Sequence, residues 1–344
     1  MVHSGHMGEH GADALDVFWP VRPDYISYAE KQTNLYDQVV GPGTKPIKLA
    51  EGFTFTEGPT WLKGNLYFSD MHFRADWSSD VRKSRTIRMS PDGKWKAIRK
   101  GMQTNGTIAS KRGNLLVCDM FGHRVVEMSP RTGRILRTVL SKVDGTRIDG
   151  PNDLVMDLKG GIYVTDPQFI LDKKKMPGTQ VYYVDSHRKS KVVIPAGEYA
   201  MPNGVEISPD GKTLYVNNTW KQPGGNFVYA YDIKEDGSLT NKRKFAMLNL
   251  TSEVLDAKEP TDRVNSQADG MAVDMDGRLY VATLSGAQIF DATGVYVGTI
   301  WCEQFPVSLT FGGKNNDVLY MVGQSSVWSI QTKVKGFRVP EGMN

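Results

Sequence analysis

Oxygen-bearing side chains stand at matching offsets ahead of successive apolar strands in this sequence. They are Glu57, Asn105, Asn152, Asn203 and Asp269, and the sixth such position is the apolar Val307. Carboxylate and amide oxygens are hard ligands, and Ca²⁺ takes roughly six to eight of them. Histidine and thiolate, which favour zinc or copper, are absent from the set. If the fold brings these positions together, the sequence predicts a site for a hard divalent cation.

These positions belong to a repeat of turn, strand, glycine turn and strand. Its copies recur at intervals of about 40 to 65 residues, in or just above the range of propeller blades. Further strand pairs, such as 124–128 with 135–140, lie between copies and suit the outer half of a blade. Helical periodicity is weak. The sequence therefore predicts an all-β fold, a six-bladed β-propeller with an irregular N-terminal extension.

In a propeller, these matching positions of successive repeats would lie close together and could form one site. Equivalent positions converge on the axis, and we take the apolar strands of the repeat, such as 66–70 and 162–166, as the innermost ones. An isolated Asn-Gly or Asp-Gly more often serves a turn through local hydrogen bonds and left-handed backbone. Five polar positions at matching offsets favour a shared site instead.

The chain divides into four expected segments. We expect a disordered tail over 1–14, an extension over 15–48 that packs on the propeller, the propeller itself over 49–333, and a C-terminal tail over 334–344. The two cysteines, Cys118 and Cys302, have no CxxC spacing, and two separate buried thiols are expected.

Composition narrows the range of partners. The net charge of +4 is small and the basic residues are scattered, which argues against nucleic-acid and membrane partners. No apolar run approaches the roughly 20 residues that span a bilayer. We expect a soluble monomer or small homo-oligomer acting on a small molecule. The compartment stays open between the cytoplasm and export with a leader removed.

Four motifs resemble the signature turns of the SMP-30/gluconolactonase/LRE family of six-bladed propellers, and the resemblance covers roughly residues 48 to 329. The motifs are Glu57-Gly58-Pro59, Pro151-Asn152-Asp153, Pro202-Asn203-Gly204 with Ser208-Pro209-Asp210-Gly211, and Ala268-Asp269-Gly270. The resemblance implies a divalent ion, usually Ca²⁺ with Mg²⁺, Mn²⁺ and Zn²⁺ as alternatives. Its implied ligands are Glu57, Asn152, Asn203 and Asp269, with Asn105 contacting substrate.

Members of this family are mostly lactonases, so the resemblance implies metal-dependent opening of a small lactone ring. The ion would polarise the ring carbonyl while a carboxylate takes a proton from the attacking water. Asp269 is our candidate for this base. A nearby dication lowers a carboxylate's pKa and weakens it as a base. Glu57, or a metal-bound hydroxide without a side-chain base, is therefore the alternative.

Further candidates for substrate contact follow the apolar strands at the expected channel mouth. They are His72, Asp119, His123, Gln168 and Trp220. The histidines equally suit surface loops. Gluconolactonase-type members carry Glu-His after the second apolar strand, where this chain has Asp119-Met120-Phe121-Gly122-His123. This difference makes a sugar lactone a less secure substrate than the lactone class as a whole.

The same residues are compatible with other functions. Distant propellers with this metal set hydrolyse aryl esters or organophosphates, and the ion could also polarise a carbonyl for isomerisation. A non-catalytic binding propeller with structural calcium is the alternative from another class. The complete Glu/Asn/Asn/Asp set favours an enzyme, because a scaffold needs no open dication in its channel. No GxSxG elbow is present to support a serine hydrolase.

Overall fold

The computed structural model describes residues 35–74, 78–167, 179–219, 226–249 and 266–339, and the statements below concern these residues. They form six four-stranded antiparallel sheets, one short helix over 35–39 and a two-stranded hairpin. The predicted all-β, six-bladed propeller is confirmed. None of the described helices is long and apolar enough to cross a membrane.

The blades are numbered in chain order, with the strands of each given from first to fourth. Blade one comprises Thr56–Leu62, Asn65–Asp70, Arg85–Met89 and Trp95–Lys100, and blade two comprises Thr104–Ala109, Leu115–Asp119, Arg124–Met128 and Ile135–Leu140. Blade three comprises Leu154–Met156, Ile162–Asp166, Gln180–Val184 and Ser190–Ile194, and blade four comprises Pro202–Ile207, Thr213–Asn218, Phe227–Ile233 and Leu239–Met247. Blade five comprises Met271–Val273, Leu279–Thr283, Gly286–Phe290 and Tyr296–Ile300, and blade six comprises Ser308–Gly312, Val318–Gly323, Ser326–Gln331 and Ile47–Glu51. The hairpin Lys142–Val143 with Thr146–Arg147 lies between blades two and three.

Blade six closes the circle with strands from both ends of the propeller sequence. Ile47–Glu51 pairs antiparallel with Ser326–Gln331, so that Lys48 lies opposite Trp328 and Glu51 opposite Ser326. Since the last blade cannot be completed without this early strand, closure ties the two ends of the domain together.

The first strand of each blade is the innermost one. First strands of neighbouring blades contact one another in an unbroken circle, and all six line the central channel. The expectation that strands such as 66–70 are innermost is therefore wrong, because these are second strands. They are the most apolar strands because the neighbouring blades cover both of their faces. Phe68 is buried in the core toward blade six, and the adjacent Tyr67 is buried in the core toward blade two.

The hydrophobic core consists of six clusters, one between each pair of adjacent blades. Aromatic pairs mark these contacts. Trp61 of blade one stacks on Tyr320 of blade six at 5.2 Å, and Tyr280 of blade five meets Phe311 of blade six edge to face at 5.1 Å. The blades are thus held mainly by face-to-face apolar packing, which leaves the channel side free for polar groups.

A C-terminal strap, defined as residues 335–339, crosses the far end of the channel. Gly336 donates its N–H to Asn316 O of blade six at 2.7 Å, and Phe337 donates its N–H to Val273 O of blade five at 2.8 Å. Arg338 reaches Trp61 O of blade one at 2.7 Å. The side chains of Phe337 and Val339 pack against the cores around blades two, three and four. The strap therefore contacts the whole circle.

The two cysteines form no disulfide in the described structure. Cys118 is fully buried in blade two, and Cys302 is partly buried after blade five, where its thiol lies 3.5 Å from Met321 Sδ. Burial raises the pKa of both thiols.

Candidate active site

The predicted ligand positions meet at one end of the channel. Glu57, Asn105 and Asn203 lie near the start of first strands, and Asn152 and Asp269 stand just ahead of them. The first strands of blades one, two and four have register shifts that begin at Glu57 or contain Asn105 and Asn203. Because a bulge re-aims the adjacent side chains, it accounts locally for polar groups that turn toward the axis. We call these five residues the polar ring.

Members of the polar ring contact one another in sequence around the axis. The Nδ2 group of Asn105 donates to Asn152 Oδ1, and the Nδ2 group of Asn152 donates to Asn203 Oδ1. Asn203 in turn hydrogen-bonds to Asp269, and Asp269 hydrogen-bonds to Glu57. Four of the five side chains are buried and Asp269 is partly exposed. Side chains from five blades thus form one connected group.

The carboxylates of this group are unusually weak acids. Burial, followed by the negative charges of Asp269 and Asp153, raises the pKa of Glu57 well above its ordinary value. Burial and the charge of Asp153 raise the pKa of Asp269 to about 7, and burial raises that of Asp153 to about 7 as well. Such shifts arise where negative charge is concentrated away from water without a compensating cation.

The donor set fits a hard cation. None of the described lysine or arginine side chains forms an ion pair with Glu57, Asp153 or Asp269. The buried Oδ1 of Asn105 accepts no hydrogen bond within the described residues. Those residues contain no cluster of three or more His, Cys, Asp or Glu side chains suited to a metal. An ion in the ring would therefore depend on amide oxygens in addition to carboxylates, as Ca²⁺ commonly does.

Glycine follows the ring residue in four blades, and close packing between blades explains it. A Cβ atom at Gly58 would lie 2.2 Å from Asn105 O, and one at Gly204 would lie 2.1 Å from Asp269 O. These glycines let the ring residue of the next blade approach the axis. Blade three carries Asp153 at this position, which adds a carboxylate beside the ring.

Two further candidates for substrate contact, His72 and Asp119, lie at the same mouth, at or just beyond the ends of second strands. His72 Nε2 lies 3.2 Å from Asp70 Oδ2, and its Nδ1 lies 3.0 Å from Thr54 Oγ1. Asp119 accepts a hydrogen bond from Arg124 Nε at 2.9 Å. These contacts hold His72 and Asp119 within their own blades, so their contact with substrate stays a prediction.

His123 is buried and has a left-handed backbone with φ of 54°. Its Nδ1 contacts the main-chain carbonyl oxygen of Asp149, which belongs to the connection between blades two and three. Gln168 and Trp220, the last two predicted contacts, lie outside the described residues.

Behind the ring the channel holds a cavity of about 800 Å³, which the strap also lines. Its walls are the first strands of all six blades, and Asp153 and Glu206 are the carboxylates that line it. Burial raises the pKa of Glu206 to about 8. Sequence reasoning did not single out Glu206, because a lone Glu within a strand carries no motif.

Sequence reasoning also missed polar groups that support the ring from the second strands. Ser69, Thr165 and Asn217 occupy the second-last position of these strands and are fully or almost fully buried. The signal that could have found them is a small polar residue inside an otherwise apolar strand, immediately before the terminal Asp or Asn.

Known proteins match most of this chain. The model of the SMP-30/gluconolactonase/LRE-like region matches residues 55–325. A gluconolactonase of Zymomonas mobilis is 28% identical over 315 residues, covering 87% of this chain and 85% of its own length.

Solved structures share the fold. A gluconolactonase of Xanthomonas campestris superposes with a TM-score of 0.71 at 23% identity, covering 86% of this chain and 92% of its own. A calcium-binding protein, regucalcin, of Agrobacterium tumefaciens superposes with a TM-score of 0.64 at 15% identity, covering 88% and 98%. Because the family model spans most of the sequence and includes every residue of the polar ring, this chain belongs to the SMP-30/gluconolactonase/LRE-like family.

Proposed function

We propose that this chain is a lactonase that opens a small lactone ring at the polar ring with the help of a divalent cation, Ca²⁺ being the favoured ion. The observation that carries the proposal is the convergence of two carboxylates and three amides from five blades, with raised carboxylate pKa values and no basic partner among the described residues. The gluconolactonase relative supports the reaction class, and the calcium-binding relative supports the ion.

Four residues of the ring are the proposed ligands: Glu57, Asn152, Asn203 and Asp269. They supply carboxylate and amide oxygens, which suit calcium better than zinc. When bound, the ion acts as a Lewis acid for the lactone carbonyl and compensates the charge that develops on its oxygen. The Oδ1 atom of Asn105, buried and without a described donor, is available to a substrate hydroxyl.

Asp269 is the proposed general base. Asp269 is the least buried residue of the ring, which favours its access to a water molecule and a substrate. Its carboxylate takes one proton from water as the water oxygen bonds to the carbonyl carbon. The ester C–O bond of the ring then breaks, and the proton passes to the leaving ring oxygen, which becomes a hydroxyl. The hydrogen bond from Asn203 orients the carboxylate for this transfer.

Glu57 is the alternative base. It is more buried than Asp269, and the Gly58 N–H donates to its Oε2. Burial and, after it, the negative charge of Asp269 raise the pKa of Glu57, which favours its holding a proton and donating it to Asp269 in the absence of an ion. This arrangement suits Glu57 better as a ligand and Asp269 better as the base.

A substrate screen with a pH indicator tests the proposal. Small lactones, aryl esters and phosphoesters are offered to the purified chain, with and without a chelator. We expect lactone opening that stops on chelation and returns with added calcium. Preference for aryl esters or phosphoesters would contradict the lactone assignment. Hydrolysis of none of the three classes would favour a binding propeller.

A further inference from the structure

Buried polar side chains connect three of the blades to the main chain of the ring residue in the next blade. They are Ser69, Thr165 and Asn217, each at the second-last position of a second strand. No candidate role in catalysis or binding accounts for a polar group at these places. Their partners are the main-chain carbonyl oxygens of Asn105, Asn203 and Asp269, respectively.

Thr165 provides the best defined of these connections. Its hydroxyl oxygen accepts the N–H of Asp153 at 3.0 Å and donates to the carbonyl oxygen of Asn203 at 2.8 Å. Asp153 directly follows the ring residue Asn152. One hydroxyl, completely buried, therefore fixes the main chain at two neighbouring positions of the ring.

Asn217 repeats this arrangement one blade later. Its Oδ1 accepts the N–H of Gly204 at 3.0 Å, and its Nδ2 donates to the carbonyl oxygen of Asp269 at 2.6 Å. Gly204 directly follows the ring residue Asn203. In blade one, Ser69 Oγ donates to Asn105 O at 3.1 Å.

In blades two and five, the carbonyl of the next blade's ring position is held without a polar side chain. Their residues at this position, Cys118 and Ala282, offer no comparable donor. Here the main chain bonds directly across the interface. Gly106 donates its N–H to Asn152 O at 2.7 Å, and Gly270 donates its N–H to Val307 O at 2.9 Å. Each of the first five blades thus holds the ring-position carbonyl of the next one.

We propose that Thr165 and Asn217 are positioning residues, which set the geometry of the polar ring by holding the main chain of its members across blade boundaries. The inference rests on the proposed function where it concerns cation binding. Ligands around a metal must be held to within a few tenths of an ångström, and the groups that orient them matter nearly as much as the ligands. A hydrogen bond to the ligand's own peptide group does this without entering the site.

Thr165→Val tests this role, because it removes the hydroxyl and keeps the shape. Thr165→Ser restores the hydroxyl. Thr332→Val is the matched control, since Thr332 is also buried and donates to a main-chain carbonyl at 2.8 Å, but it lies directly after the third strand of blade six. Calorimetric titration with calcium chloride is expected to show an affinity about 10 to 100 times lower in Thr165→Val. Thr165→Ser is expected to bind like the wild type, and so is the control.

Unfolding by denaturant separates positioning from simple stabilisation. If Thr165→Val and Thr332→Val lose similar stability while only the former loses calcium affinity, the inference is supported. If Thr165→Val binds calcium as tightly as the control, Thr165 has only a structural role and the inference fails. Should Thr165→Val not fold, Asn217→Ala takes its place, because it removes the contacts to Gly204 N–H and Asp269 O, and unchanged calcium affinity in that variant overturns the inference.

An NMR measurement that does not depend on enzymatic activity distinguishes this inference from the proposed function. Selective ¹⁵N labelling of asparagine reports the side-chain amide signals of Asn152 and Asn203. We expect both signals to shift in Thr165→Val and to stay in place in Thr332→Val. If the wild type neither binds calcium nor opens lactones, the proposed function fails, yet these shifts would still support the positioning role. Unchanged signals in Thr165→Val would overturn it.

Discussion

At the scale of single residues, the two ring carboxylates differ in surroundings although both have raised pKa values. Glu57 is buried, and it accepts a hydrogen bond from the N–H of Gly58. Asp269 is partly exposed beside Asn203. This asymmetry is the physical reason for assigning proton transfer to Asp269 and ligation to Glu57.

The first prediction concerns Asp269→Asn. The amide keeps a ligand oxygen but cannot accept the proton, so we expect kcat for lactone opening to fall by at least about 100-fold. Calcium titration and thermal unfolding check that the ion and the fold are retained. Asp236→Asn, at an exposed turn, is the control and should keep full activity. Full activity in Asp269→Asn with the ion bound would contradict the assignment of Asp269 as the general base.

The ring residues were predictable from sequence, whereas their support was not. Glu57, Asn105, Asn152, Asn203 and Asp269 recur at matching offsets, and a propeller brings such positions together. The contribution of Thr165 depends on which carbonyl oxygen of another blade lies within reach of its hydroxyl. That distance depends on the packing between blades, for which the sequence gives only a weak signal.

At the scale of elements, the first strand of each blade combines channel wall and site. First strands such as Thr104–Ala109 are less apolar than the second strands beside them, so sequence patterning favoured the second strand as the innermost one. The structure reverses that order, because second strands are sandwiched between neighbours while first strands face the channel. Apolar patterning therefore identifies the blades reliably. It is a poor guide to the order of the strands from the axis outward.

The second prediction tests the close approach of first strands. Gly204→Ala would put a methyl group 2.1 Å from Asp269 O, and overpacking of this kind costs about 1 to 3 kcal/mol. We expect reduced stability together with loss of lactonase activity, because Asp269 must move. Gly145→Ala is the comparison, since its backbone is left-handed but the space around it is open. Activity that survives in Gly204→Ala would show that the ring tolerates displacement.

The third prediction concerns the strap. Phe337 packs against the core between blades three and four, so we expect Phe337→Ala to lower the free energy of unfolding by about 1 to 3 kcal/mol. Phe121→Ala, which removes an exposed ring, should cost less. Denaturant titration measures both. Equal losses would mean that the strap adds nothing specific to the closure of the propeller.

At the scale of the whole molecule, the channel concentrates negative charge on the axis. Glu57, Asp153, Glu206 and Asp269 all have raised pKa values, with burial as the largest cause. The first strands of all six blades line one channel, so acidic side chains on these strands or just ahead of them lie near one another. A cation on the axis relieves their mutual repulsion, so the fold and the ion are expected to stabilise each other.

The fourth prediction follows from the sign of these shifts. A carboxyl group whose pKa is higher in the folded state than in the unfolded state favours folding while it is protonated. For Asp153 and Asp269 this contribution is complete below the ordinary pKa of 3.8 and is lost as the pH rises through about 7. We expect the chelator-treated protein to unfold several degrees lower at pH 8 than at pH 5.5.

Added calcium should remove most of that difference, because the ion replaces the protons on the ring. Thermal unfolding at the two pH values, with and without calcium, measures both effects. The same pH dependence with and without calcium would contradict binding of the ion at these carboxylates.

The most direct test of the central claim is an anomalous difference map from crystals of this chain grown with calcium and, separately, with manganese. We predict one dominant peak on the axis, with oxygens of Glu57, Asn152, Asn203 and Asp269 at about 2.3 to 2.6 Å in the calcium form. A map without a peak inside the polar ring, from protein whose lactone opening is abolished by a chelator, would contradict the account.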